Sequence, residues 1–186
     1  MKTLEPVRNV TVVALVDGDD INTPSNLDAV KKAVEFSSEI LVRDFRISLK
    51  LVAIDTWEFP KGKEWVDMDA SLRDIVKIVR QKPAGADIVL AYTAKPIFSW
   101  SSEEIDGEQV GVYNRGYGWA AKILGNAALV AIYKNTGYAT LHEIYHLFGA
   151  YDTYYGGGEG IMRRLDTTEI DRENFDRILQ NRSRKF

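Results

Sequence analysis

The 186-residue chain contains no cysteine. This excludes a disulfide framework and any thiolate metal site, so a bound transition metal would have to be held by His, Asp or Glu. Histidine is almost as scarce, with two in the whole chain. Proline and glycine form no linker-like stretch and no repeat is visible, so one domain spanning residues 1–186 is expected, long enough for a substantial core. A surplus of one charge is also missing: 24 basic and 27 acidic side chains leave a net charge of −3, which argues against nucleic-acid or membrane partners. No apolar run reaches the length of a membrane span. The β-branched stretch at residues 10–16 is too short and reads as a buried strand. The opening Met-Lys-Thr-Leu-Glu-Pro has no apolar signal core. The expectation is a monomeric, cytoplasmic protein, or a secreted one if a signal or pro-segment has been trimmed.

What is present is concentrated. Both histidines fall in His142-Glu143-Ile144-Tyr145-His146-Leu147-Phe148-Gly149-Ala150-Tyr151-Asp152. On a helix, residues i and i+4 share a face one turn apart, so His142 and His146 can aim a ring nitrogen each at one ion. Glu143 lies beside that face, placed to take a proton from a zinc-polarised water without ligating the metal. Asn135 or Thr136 can cap the helix, and Leu141, Ile144, Tyr145 and Phe148 form an apolar stripe on the side away from the ligands. Gly149 can end it in a left-handed turn that returns the backbone and brings Asp152 up as a third ligand. Glu159, Glu169 and Glu173 stand further along as alternatives for that place.

These residues resemble the metzincin clan of zinc peptidases, whose signature H-E-x-x-H-x-x-G-x-x-H ends in Asp in some members, as it does here. The clan carries a methionine turn beneath the zinc, and Met162 in Gly160-Ile161-Met162 lies ten residues beyond Asp152. The resemblance implies an α/β (α+β) fold with a twisted, mostly parallel sheet, an antiparallel edge strand, long helices and a small C-terminal part. The division would fall near residue 149, giving an upper part at about 1–149 and a lower one at 150–186. It implies a zinc-dependent endopeptidase with one catalytic Zn²⁺ on His142, His146 and Asp152, Glu143 as general base, and a peptide or protein as substrate. The readings kept beside it are a non-catalytic zinc-containing peptide-binding domain, against which the intact Glu143 argues, and a zinc hydrolase of a non-protein amide. The absence of cysteine disfavours the archaemetzincin subgroup, which carries an additional cysteine cluster. No cysteine or aspartate switch precedes the domain.

The rest of the chain can be read the same way. Strands are expected at residues 10–16, 47–53, 88–92, 117–123 (the edge) and 127–133. Helices are expected from about 27 to 44, at 72–79 with Asp69 as cap, and at 172–182 with Asp171 as cap, burying Phe175, Ile178 and Leu179. Gly116-Tyr117-Gly118-Trp119-Ala120 resembles the G-x-A element of the metzincin edge strand, which makes Gly118, Trp119 and Ala120 candidates for substrate binding by strand addition. Two departures stand out. Many metzincins have glycine where Tyr145 stands, and some place a tyrosine two residues after the methionine, where this chain has Arg164. Arg164, Tyr151, Tyr154 and Tyr155 are therefore the candidates for an oxyanion donor or pocket wall. Asp17-Gly18-Asp19-Asp20 weakly suggests calcium but lacks the glutamate of a calcium loop. The acidic stretch at residues 101–108 reads as an exposed connection, suited in position to a flap.

Overall fold

The apolar run near the N-terminus forms strand β1 (Arg8–Asp17), and its two faces are both buried. In the computed structural model, which describes residues 7–58, 66–67, 71, 86–105, 108–116, 118–120, 125–153 and 160–186, β1 lies inside a five-stranded sheet. The neighbours are β2 (Ile47–Trp57) on one side and β4 (Ile88–Thr93) on the other. Beyond them come β8 (Ala127–Ala131) and, at the edge, β7 (Gly118–Ala120). Strands β2, β1, β4 and β8 run parallel, whereas β7 runs antiparallel to β8 with Gly118 opposite Val130 and Ala120 opposite Ala128. Parallel strands covered on both sides read as continuous apolar runs, which is why β1, β4 and β8 are rich in Val, Leu and Ala throughout.

Among the described residues, three helices pack with this sheet. Helix α1 (Pro24–Phe45) opens with proline at its first turn, where the missing N–H costs nothing, and so starts before the expected residue 27. It buries Val30, Val34, Leu41 and Phe45 against β2 and against α2 (Thr136–Leu147). Helix α2 lies over β8 and β7, and the Tyr92 hydroxyl on β4 meets Thr140 Oγ1 on α2 at 3.2 Å. Helix α3 (Arg172–Asn181) adds Ile178 to the same core and is capped by Asp171, whose carboxylate accepts from the Asn174 N–H. The opposite face of the sheet buries Val13, Leu15, Val89, Leu129, Trp57 and Ile97.

Two expectations need correction. Strand β2 continues to Trp57 rather than ending near residue 53, because it pairs with β1 along its whole length, with a register shift between Val12 and Val13 that leaves Val52 as the extra residue. The described part of the acidic segment at 101–108, residues 101–105 and 108, is not a loose connection. It belongs to a hairpin of β5 (Ile97–Ile105) and β6 (Glu108–Gly116), which forms a second sheet with β3 (Val66–Asp67). The helix expected at 72–79 and the end of the strand expected at 117–123 lie outside the described residues. Among the described residues no helix is long and apolar enough to cross a membrane.

Tyr145 fills the α1–α2 contact, edge-on to Phe45 with 5.8 Å between ring centroids. It is fully buried, and its hydroxyl has no hydrogen-bond partner among the described residues. A buried, unpaired hydroxyl costs free energy that a phenyl ring avoids. Tyr145→Phe is therefore expected to stabilise the fold by about 1 kcal/mol. Urea denaturation checks this, and a midpoint lower than that of the parent chain would contradict it.

Candidate metal centre

Helix α2 begins after a turn fastened by Thr136, whose Oγ1 accepts from the Tyr133 N–H and donates to the Tyr133 carbonyl. Asn135 occupies the N-cap position but makes no side-chain cap bond, so of the two expected caps it is Thr136 that ties the helix start. The apolar stripe of Leu141, Ile144, Tyr145 and Phe148 is wholly buried. The helix ends as a glycine-terminated Schellman turn: Gly149 has φ of +101°, its N–H reaches the His146 carbonyl, and the Ala150 N–H reaches the Tyr145 carbonyl. That reversal carries the chain back beneath the histidines.

His142, His146 and Asp152 are brought together, each offering one ligand atom, with all three atoms within 4.8 Å of one another. The two imidazole Nε2 atoms lie 3.1 Å apart. Asp152 Oδ1 is 3.1 Å from His142 Nε2 and 3.5 Å from His146 Nε2. Each Nδ1 faces a backbone carbonyl, His142 that of Ile161 and His146 that of Ala150, both at 2.9 Å. A carbonyl only accepts, so Nδ1 carries the proton in both rings and both Nε2 lone pairs face the same point.

Two lone pairs and a carboxylate oxygen converging on one point repel one another unless a cation lies among them. The burial of Asp152 Oδ1 without an aligned hydrogen bond adds to this. Two nitrogens at ~2.0–2.1 Å from a tetrahedral Zn²⁺ would be roughly 3.3 Å apart, close to the separation seen. The donor set thus fits a zinc ion. Without metal, protons take the cation's place. Burial opposes charge on His142, yet Asp152 and Glu143 outweigh it and carry that imidazole up to about 9. His146 is raised by the same neighbours against its own burial. For Asp152, burial is overcome by the two imidazoles, which hold its carboxyl below the usual range.

Glu143 is buried beside the cluster, and burial raises its carboxyl while the two histidines pull it down. The backbone N–H of Ala120 on β7 bonds the carboxylate. A Cβ at Gly118 would stand 2.7 Å from Glu143 Oε1, so only glycine leaves room for this side chain. Oε2 has no hydrogen-bond partner among the described residues.

Met162 is buried in the turn whose preceding carbonyl, that of Ile161, holds His142, and its own carbonyl accepts from the Thr153 N–H. Arg164 is not brought into the cluster: its guanidinium pairs with Asp166 and both side chains are mostly exposed. Of the alternative ligands, Glu169 is exposed, and Glu173 pairs with Arg177 on the surface of α3. Glu159, Tyr154, Tyr155 and the Trp119 side chain lie outside the described residues. Tyr151 is half exposed with the Arg177 guanidinium over its ring. In the candidate calcium loop, Lys95 Nζ meets Asp17 and Asp19, and the Ala94 N–H meets Asp20, which fastens the loop to the end of β4.

Sequence reading missed one polar residue, Asn174, which bonds both backbone groups of Tyr151 next to Asp152. The available signal was its place four residues before Ile178, a polar side chain on the buried stripe of α3.

No protein-family profile and no curated protein sequence matches this chain. Solved structures do match it. One is a chain in the structure of a chaperone–substrate complex, with TM-score 0.65 and 15% identity over 96% of this chain and 35% of that one. Another is an archaemetzincin from Methanopyrus kandleri, with TM-score 0.62 and 17% identity over 95% and 96%. A third is metalloproteinase-II from Bacteroides fragilis, with TM-score 0.59 and 17% identity over 96% and 55%. The chain thus spans about a third of the first and about half of the third. At these identities the likeness is one of fold, and two of the three folds belong to proteins named as metallopeptidases.

Because His142 is raised to about 9 without metal, zinc must displace protons at neutral pH. Metal affinity is therefore expected to weaken steadily as pH falls below about 9. Calorimetric titration in two buffers of different ionisation enthalpy should show proton release at pH 7, and identical heats in both would contradict the raised His142 imidazole.

Proposed function

We propose that the chain is a zinc-dependent endopeptidase of metzincin type, a single catalytic domain in which His142, His146 and Asp152 hold the ion and Glu143 is the general base. The observation that carries this reading is the convergence of two Nε2 lone pairs and Asp152 Oδ1 on one point, with the buried Glu143 carboxylate alongside. Zinc held there supplies Lewis acidity, which lowers the pKa of water towards ~7 and polarises a carbonyl.

The chain's own residues account for the remaining requirements. Glu143 takes the proton of the attacking water and passes it to the leaving amine. Its raised pKa, caused first by burial, makes it a stronger base than an exposed carboxylate. Gly118 and the Ala120 N–H hold its carboxylate from one side, so the edge strand serves the base as well as any substrate. Strand β7 stands at the margin of the sheet, paired only with β8 among the described residues. An extended peptide could add there through main-chain hydrogen bonds. Met162 acts as the floor of the site, its turn holding His142 through the Ile161 carbonyl. Tyr151 remains the described candidate for an oxyanion donor, and Tyr154 and Tyr155 are the others.

Two sets of variants test this. Cleavage of a diverse peptide library, read by mass spectrometry, should show cuts by the parent chain and none by Glu143→Ala, with one equivalent of zinc bound to both. Gly118→Ala should behave as a milder Glu143 variant, keeping zinc while kcat falls roughly 10²-fold or more, the scale of a displaced acid–base group. Asp152→Ala should lose metal while Glu169→Ala keeps it. The reverse result would move the third ligand, and cuts that persist in Glu143→Ala would remove it as the base.

A further inference from the structure

We propose that Asn174 is a positioning residue for the third ligand: its side-chain amide holds the backbone at Tyr151 in the path that presents Asp152 to the two imidazoles. The inference rests on the metal-site reading above.

Asn174 lies on α3, far from α2 in sequence, and is 3% exposed. Its Oδ1 accepts from the Tyr151 N–H at 2.8 Å, and its Nδ2 donates to the Tyr151 carbonyl at 2.9 Å. This reproduces with one side chain the pair of bonds that a neighbouring strand would give to Tyr151. The second Nδ2 hydrogen goes to Asp171 Oδ2 at 2.8 Å. A carboxylate can only accept, so Asp171 fixes which way the amide faces as well as capping the helix. An amide with one acceptor and two donors meets all three partners, and neither a carboxylate nor a hydroxyl of similar size can.

The clasp falls where the chain needs it. Gly149, three residues before Asp152, has little conformational preference of its own. The Asp152 side chain is 26% exposed, so close packing does not fix it. Its placement depends on the backbone around it, held at Ala150 by His146 Nδ1, at Tyr151 by Asn174 and at Thr153 by the Met162 carbonyl. Of these three holds, only the one from Asn174 comes from α3, so it links that helix to the ligand set. Groups that orient a ligand in this way typically change metal affinity by about 10–100-fold when removed.

The test is zinc affinity by chelator competition on the full chain, with Co²⁺ absorption as a second readout. Asn174→Ala and the isosteric Asn174→Asp are both expected to bind at least about tenfold more weakly than the parent. Their cobalt spectra should shift towards that of Asp152→Ala, and amide exchange at Tyr151 should speed up in the metal-free protein. Ile178→Val, which loosens α3 without removing a hydrogen bond to Tyr151, should lower thermal stability and leave affinity within about twofold. If Asn174→Ala does not fold, Asn174→Asp is read in its place. Parent-like affinity and spectra in the Asn174 variants would overturn the proposal while leaving the metal site standing. Equal weakening by Ile178→Val would make the effect one of general stability and overturn it as well. A parent chain that takes up no metal would sink the metal-site reading itself, a different result from either.

Discussion

Two imidazole nitrogens 3.1 Å apart, with a carboxylate oxygen beside them, form an arrangement that repels itself unless a cation or protons are present. Each of the three side chains, or the backbone beside it, is held from behind by a hydrogen bond. The carbonyls of Ile161 and Ala150 fix the rings, and Asn174 fixes the chain leading to Asp152.

The rest of the architecture follows from having to bring those supports to one place. The parallel sheet puts β8 directly before α2, so the helix starts at the sheet's end and runs back over it. The glycine turn then returns the chain, and α3 and the turn that contains Met162 close the arrangement from below. On the other flank β7 brings a backbone N–H and a missing side chain to Glu143. The edge strand and the C-terminal helix, though distant in sequence, each hold the surroundings of one carboxylate, Glu143 and Asp152.

Much of this was legible in the sequence because it depends on local spacing. The i, i+4 histidines, the glycine that ends their helix, the Asp171 cap and the buried run at residues 10–16 are short-range signals whose physics needs no knowledge of the fold. What could not be read depends on which segments become neighbours. The glycine at 118 reads as room for a substrate backbone, whereas the atoms that would meet its Cβ belong to Glu143. Asn174 reads as one more polar residue near a helix start until Tyr151 is placed against it. The extension of β2 to Trp57 comes from pairing with β1 and not from its own alternation. The stretch at 101–108 reads as an acidic connection, and the strand character of residues 101–105 comes from pairing with residues 108–112.

Tyr145 explains why a helix that carries ligands on one side can afford a phenol on the other, at a position where the resembling family often has glycine. Its ring meets Phe45 at the end of α1, and Phe45 in turn meets Phe175 of α3 at 4.8 Å. Phe175 follows Asn174 directly. One aromatic chain therefore joins the helix that carries both histidines to the helix whose Asn174 bonds the backbone of Tyr151. A smaller residue at 145 would leave α1 and α2 free to approach, and the shift would pass through Phe45 to Phe175 and so to the Asn174 amide. The unpaired hydroxyl is the cost of filling that volume with a tyrosine. It is small beside the loss of alignment that a gap in the aromatic chain would bring to atoms whose useful separation is set within a few tenths of an ångström.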